Sequence, residues 1–143
     1  MPRKIMIVED HDAVRKSLKE WLECALPDYT ILDVGSGEEA LQAARAEGMC
    51  LIVMDIGLPG INGLQATRQI KAFLPDVPIV ILSIHEDEAY RADAIASGVS
   101  AYVPKRLMRT RLLPTLRGLL PAQKARAEPG SGVAPSLRGG QGR

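Results

Sequence analysis

Residues 1–120 predict an α/β domain in which a parallel sheet carries helices on both faces. Three observations lead there. The runs IMIV, LIVM and IVIL are continuously apolar, as strands covered on both faces are. Amphipathic stretches of helical period separate these runs. The two kinds of segment alternate through five βα units with no internal sequence repeat. Such alternation calls for parallel pairing through right-handed crossovers.

Taken in order, the first strand is expected at Lys4–Val8. A helix starting near Asp12 follows, with Val14, Leu18, Trp21, Leu22, Ala25 and Leu26 on one stripe and Pro27 past its end. Tyr29–Val34 reads as the second strand, and Gly37 and Gly48 bracket the second helix. Leu51–Met54 reads as the central strand of the sheet. Asn62 opens the third helix, whose stripe is Leu64, Thr67, Ile70 and Leu74, and Pro75 follows it. Ile79–Leu82 is the fourth strand, Gly98 ends the next helix, and Ala101–Val103 is the fifth strand.

Composition bounds the function. A chain of 143 residues and 15.5 kDa fits one domain, and 46% hydrophobic with 24% charged residues is ordinary for a globular one. A net charge of +1 argues against a general nucleic-acid or membrane-surface binder, and 3% aromatics leave few platforms for stacking bases. Cys24 and Cys50 cannot build a disulfide framework or a CxxC metal site, and read as small buried apolar residues. The start, MPRKIMIVEDHD, turns acidic before a signal-peptide core develops, and no apolar run approaches the ~20 residues that span a bilayer. A cytoplasmic location is expected. From Pro121 to Arg143, Gly, Pro and Ser interrupt the chain, so 121–143 reads as a flexible tail of charge +3, leaving −2 on 1–120.

In sheets of this class ligands bind beyond the carboxyl ends of the strands. Glu9 and Asp10 end the first strand and Asp55 the third, while the fourth runs into Ser83 and the fifth into Pro104-Lys105. At ~4 Å and an effective dielectric near 20, each like-charge carboxylate pair costs about 4 kcal/mol. A hard, oxygen-seeking divalent ion relieves that repulsion, and Mg²⁺ can keep water or a phosphoryl oxygen in its shell. Beside such an ion a carboxylate can accept a phosphoryl group as an acyl phosphate. Asp55, at the end of the central strand and before the turn GLPGING, is the expected nucleophile. The glycines and proline of that turn are expected to let backbone approach the ligand. Asp10 is the expected main metal ligand and Glu9 is expected to act through metal-bound water, although the sequence alone does not separate the two acids. Lys105 balances charge or holds the added anion, and the Ser83 hydroxyl donates to one of its oxygens.

IVEDHD, MDIGLPGINGLQATRQI, IVILSIHEDE and AYVPK stand in the order and spacing of a known family. The chain resembles the receiver domain of two-component response regulators over roughly residues 3–120, and most resembles receivers of the NarL/LuxR type. The resemblance implies a flavodoxin-like (βα)5 fold with sheet order 2-1-3-4-5. It implies that Asp55 takes a phosphoryl group from a histidine kinase or phosphotransfer protein. Glu9, Asp10, Asp55 and the Gly57 carbonyl would arrange Mg²⁺, and Ser83 and Lys105 would contact the phosphoryl group. Tyr102 takes the position of the switch aromatic that moves with Ser83, and the positions of Gly57 and His85 tune phosphoryl lifetime. The implied output is a contact made by the fourth helix, fifth strand and fifth helix with an unspecified protein target. A homodimer is compatible with this reading.

Two features depart from the family pattern. The segment Lys105–Arg117 contains Lys105, Arg106, Arg109, Arg111 and Arg117 and no acid, reading either as a solvated helix face or as a surface for an acidic partner or nucleic acid. Pro114 falls where the last helix should run, so that helix is expected to start late or kink. His11 reads as a helix-entry residue, and spacing makes neither His11 nor His85 a metal ligand. The tail lacks two amphipathic helices, so no DNA-binding domain follows within this chain and a stand-alone receiver is expected ahead of a receiver fragment of a helix-turn-helix regulator. Two rivals belong to other classes. An aspartyl-phosphate phosphatase would want a second acid two residues after its nucleophile, where this chain has Gly57. An adaptor that never accepts phosphate would not need Glu9, Asp10, Asp55, Ser83 and Lys105 together. The leading expectation is a phospho-acceptor signalling module, not a turnover enzyme.

Overall fold

The computed structural model describes residues 3–58 and 60–121. The tail read over 121–143 therefore lies, apart from Pro121, outside the described residues. Among the described residues, five strands alternate with five helices. They are β1 (Lys4–Val8), α1 (Asp12–Ala25), β2 (Thr30–Val34), α2 (Gly37–Ala43), β3 (Met49–Asp55), α3 (Gly63–Phe73), β4 (Ile79–Ser83), α4 (Glu88–Ala96), β5 (Ala101–Pro104) and α5 (Met108–Leu119). A 3-10 turn over Lys105–Leu107 leads into α5. All strand pairs are parallel and the sheet order is β2-β1-β3-β4-β5, the flavodoxin-like arrangement.

The pleat divides the core in two. Ile5, Ile7, Leu51, Val53, Val80, Leu82 and Val103 face α1 and α5, where Leu18, Leu22, Leu26, Leu112, Leu116 and Leu120 meet them. The alternate residues Met6, Val8, Ile52, Met54, Ile79 and Ile81 face α2, α3 and α4. Both sides of the central strands are thus buried, which is why those strands read as unbroken apolar runs. Each fully buried Leu or Ile contributes about 1.5–3 kcal/mol. α4 differs from its neighbours, since Ala94 is its one buried residue.

Three details depart from expectation. Val14, placed on the buried stripe of α1, is 40% exposed, because the first turn of α1 borders a groove shared with Met108 and Arg109 of α5. Cys24 is exposed and Cys50 only partly buried, so the apolar-core reading fails for Cys24. Of the late start and the kink expected at Pro114, the late start fails, for α5 runs through the proline from Met108 to Leu119. Pro114 is exposed, so the Thr110 carbonyl that loses its helical partner is not sealed in the core. Among the described residues, no helix is long and apolar enough to cross a membrane.

Candidate functional site

Strand register assembles the site. Val8 lies opposite Met54, so Glu9 leaves β1 beside Asp55 at the end of β3. Asp55 lies opposite Leu82, which sets Ser83 one step further along β4, and Ser83 lies opposite Pro104, which delivers Lys105. Glu9, Asp55 and Ser83 are all buried. Of the residues expected at the strand ends, Glu9, Asp55 and Lys105 are in direct contact, while register sets Ser83 at the same edge and Asp10 clusters with Glu9.

Lys105 joins the two buried acids. Its Nζ donates to Glu9 Oε1 at 3.0 Å across 96 residues of chain and lies 3.4 Å from Asp55 Oδ2. Burial pushes the Lys105 ammonium down, but Glu9 and Asp55 outweigh that and hold it above the ordinary lysine value. Burial likewise pushes Glu9 up, yet hydrogen bonds from Lys105 and His11 carry its net shift downward. Asp55 goes the other way: burial raises its carboxyl and the Glu9 charge adds to the rise, against the opposing pull of Lys105 and the Gly57 N–H. That N–H donates to Asp55 Oδ1 at 3.1 Å. The surroundings thus disfavour the charged form of Asp55 and favour that of Glu9.

The loop after β3 is held by backbone packing. A Cβ on Gly63 would sit 2.2 Å from the Asp55 carbonyl oxygen and 2.8 Å from Ile56 Cα. Asn62 caps α3 by accepting from the Leu64 and Gln65 N–H groups, and Gln65 Oε1 accepts in return from the Asn62 N–H. Of the turn's glycines, then, Gly63 serves close approach of α3 to the end of β3 and not the ligand approach expected of the turn. At Gly57 a Cβ would meet only Asp55 Oδ1, at 4.0 Å, so this position opens towards the acid.

On the opposite rim, Ser83 Oγ accepts from the His85 N–H at 2.9 Å, leaving its own proton free to donate. The Tyr102 hydroxyl donates to the His85 carbonyl, and the His85 ring stacks on Tyr90 with centroids 4.1 Å apart. Glu86 and Arg106 form a two-pronged pair at 2.7 and 2.8 Å, tying the loop after β4 to the turn after β5. The basic strip is thereby divided: Lys105 and Arg106 are engaged by acids, while Arg109, Arg111 and Arg117 lie exposed.

Two contributors escaped the sequence reading. Arg15 donates from Nη1 to the Glu9 carbonyl at 2.9 Å and from Nε to Asp33 Oδ2 at 3.1 Å, fixing the end of β1. Its pairing with Asp12, three residues earlier, was the local signal available. His11, which spacing excluded, brings Nδ1 to 3.1 Å from Glu9 Oε2 and 3.5 Å from Asp10 Oδ1. One ligand atom from each of Glu9, Asp10 and His11 lies within 4.8 Å of the others. Asp10 Oδ1 is buried with no hydrogen-bond partner. An orphaned carboxylate oxygen beside a second acid and an imidazole nitrogen fits a divalent cation.

A family model described as the response regulator receiver domain matches residues 5–117. Among curated proteins, the transcriptional regulatory protein DegU of Brevibacillus brevis is 34% identical over 104 residues, covering 73% of this chain and 44% of DegU. Response regulator UvrY of Escherichia coli K12 is 28% identical over 120 residues, covering 84% of this chain and 55% of UvrY. The chain thus spans about half the length of the curated relatives it matches. Among solved structures, a LuxR-family response regulator from Aurantimonas sp. matches with TM-score 0.76 at 28% identity, covering 92% of this chain and 93% of that one. Response regulator TrrA of Thermotoga maritima, solved in complex with Mg²⁺-BeF, matches with TM-score 0.73 at 30% identity, covering 82% of this chain and 99% of TrrA.

Proposed function

The chain belongs to the response regulator receiver family of two-component systems, and on that premise we propose that Asp55 is its phospho-acceptor. The observation that carries the assignment is a buried aspartate at the end of the central strand, raised by burial and by Glu9, with Lys105 Nζ 3.4 Å away. An Asp55 oxygen attacks the phosphorus of a phosphohistidine on a kinase or phosphotransfer protein. The new O–P bond forms as the P–N bond breaks, and the imidazole leaves with its electron pair. Charge on the transferred group spreads over three oxygens, so the protein's task is positioning and neutralisation.

Glu9 and Asp10, with Asp55 and the Gly57 carbonyl, would hold Mg²⁺, which neutralises charge on the acid and on the incoming phosphoryl oxygens. Lys105 Nζ turns from the Glu9–Asp55 pair to a phosphoryl oxygen, and the unspent Ser83 proton donates to another. The Ser83 Oγ then draws on the His85 N–H, and through the His85 carbonyl on Tyr102. That route carries the change towards α4, β5 and α5. Phosphorylation adds about −1.5 to −2 charge and strong acceptors, biasing the population of one packing of that face. His85 and the open position at Gly57 border the acyl phosphate and set how readily water reaches it. The product is a signalling state, not a released product, in a cytoplasmic protein whose output is a protein contact and which binds no DNA through this region alone.

Incubation with Mg²⁺ and a small acyl-phosphate donor, read by intact mass, tests the proposal. Wild type gains one phosphoryl group, dependent on Mg²⁺, and Asp55→Asn gains none. An adduct of equal yield on Asp55→Asn would overturn the assignment.

A further inference from the structure

We propose that His11 Nδ1 is a ligand of the divalent ion and tilts the site towards ions that accept imidazole nitrogen, such as Co²⁺, Ni²⁺ and Zn²⁺, over Mg²⁺. This rests on the reading of Glu9 and Asp10 as metal ligands. Glu9 divides its carboxylate, with Oε1 taken by Lys105 and Oε2 turned to His11. Asp10 contributes the buried oxygen that has no hydrogen-bond partner. His11 Nδ1 is hydrogen-bonded to the first of these oxygens at 3.1 Å, with the His11 backbone N–H donating to the same oxygen at 3.2 Å, and stands 3.5 Å from the second.

Those two spacings, the shorter of them a hydrogen bond here, also match the edges of a coordination shell. Donors held at ~2.1 Å from one ion lie about 3.0 Å apart along an octahedral edge and about 3.4 Å apart along a tetrahedral one. His11 thus adds one nitrogen to an otherwise all-oxygen donor set, alongside the Glu9 and Asp10 oxygens that cluster with it. Mg²⁺ takes oxygen and gives up water reluctantly, whereas affinity for mixed nitrogen and oxygen sites rises from Mn²⁺ through Co²⁺ to Ni²⁺. The His11 side chain is 71% exposed, so an ion reaches it from solvent without disturbing the core.

The test is calorimetric titration of unphosphorylated protein, without any phosphodonor, using Ni²⁺ and separately Mg²⁺ on wild type, His11→Ala and Asp10→Asn. The visible spectrum of bound Co²⁺ gives a second readout, since replacing nitrogen by water shifts its d–d bands. Expected are a loss of at least about tenfold in Ni²⁺ affinity for His11→Ala, a change below about threefold for Mg²⁺, and loss of both ions for Asp10→Asn. Circular dichroism melts confirm that the variants are folded. Unchanged Ni²⁺ affinity and an unchanged Co²⁺ spectrum in His11→Ala would overturn the role of His11 while leaving the metal reading intact. Failure of wild type to bind either ion would overturn both.

Discussion

At the scale of single residues, the site is an unequal division of charge. Lys105 serves two buried carboxylates, and Glu9, 1% exposed, is the one it satisfies. Lys105→Met leaves Glu9 buried without its cation and is expected to cost about 3 kcal/mol in metal-free buffer, read from urea unfolding. Asp55 behaves oppositely. A carboxyl raised in the folded state binds its proton more tightly there than in the unfolded chain, so its ionised form subtracts from stability at neutral pH. Asp55→Asn is therefore expected to stabilise the metal-free protein by about 1 kcal/mol at pH 7, a few degrees in Tm. That gain should shrink as pH falls through the raised Asp55 value. The lowered Glu9 contributes in the contrary sense: its stabilisation is full above the ordinary glutamate range and is lost as pH falls through its folded value below that range. Urea midpoints of wild type and Asp55→Asn across the acid range check both signs.

At the scale of elements, strand ends carry the chemistry and helix contacts decide what can move. Gly63 lets α3 rest on the backbone of Asp55, so Gly63→Ala is expected to cost more than 2 kcal/mol and to displace the acid, seen as a lower Tm together with weaker Mg²⁺ binding. Pro114 leaves one carbonyl of α5 without its helical bond, and Pro114→Ala is expected to stabilise the fold by about 1–3 kcal/mol. With Ala94 its one buried residue, α4 is expected to show faster amide exchange than α1 or α3, measured by mass spectrometry. The strands were legible in sequence because burial on both faces removes polar residues from them, and Asn62 announced its helix by its own side-chain chemistry. The path of α5 was not legible, since helix disruption by proline depends on whether the freed carbonyl reaches solvent. Nor was the exposure of Val14, which depends on where α5 stops covering α1.

At the scale of the whole molecule, a five-stranded sheet gathers residues from position 9 to position 105 at one edge. Glu9, Asp10, Asp55, Ser83 and Lys105 could be read from sequence because each sits at a strand's carboxyl end, where the topology alone places it. His11 and Arg15 could not, since their roles depend on how side chains turn back onto Glu9 after β1 has ended. The pairing of Glu86 with Arg106 joins two loops that only the sheet order makes neighbours. The role proposed for this edge is to carry a phosphoryl group on one particular acid. Its most direct measurement is location of the group: protein treated with Mg²⁺ and a small acyl-phosphate donor is reduced with borohydride, which converts an aspartyl phosphate to homoserine, and its peptides are sequenced by mass spectrometry. Homoserine is expected at position 55 and at no other aspartate. Homoserine elsewhere, or an unmodified position 55 in protein that carries the phosphoryl mass, would contradict it.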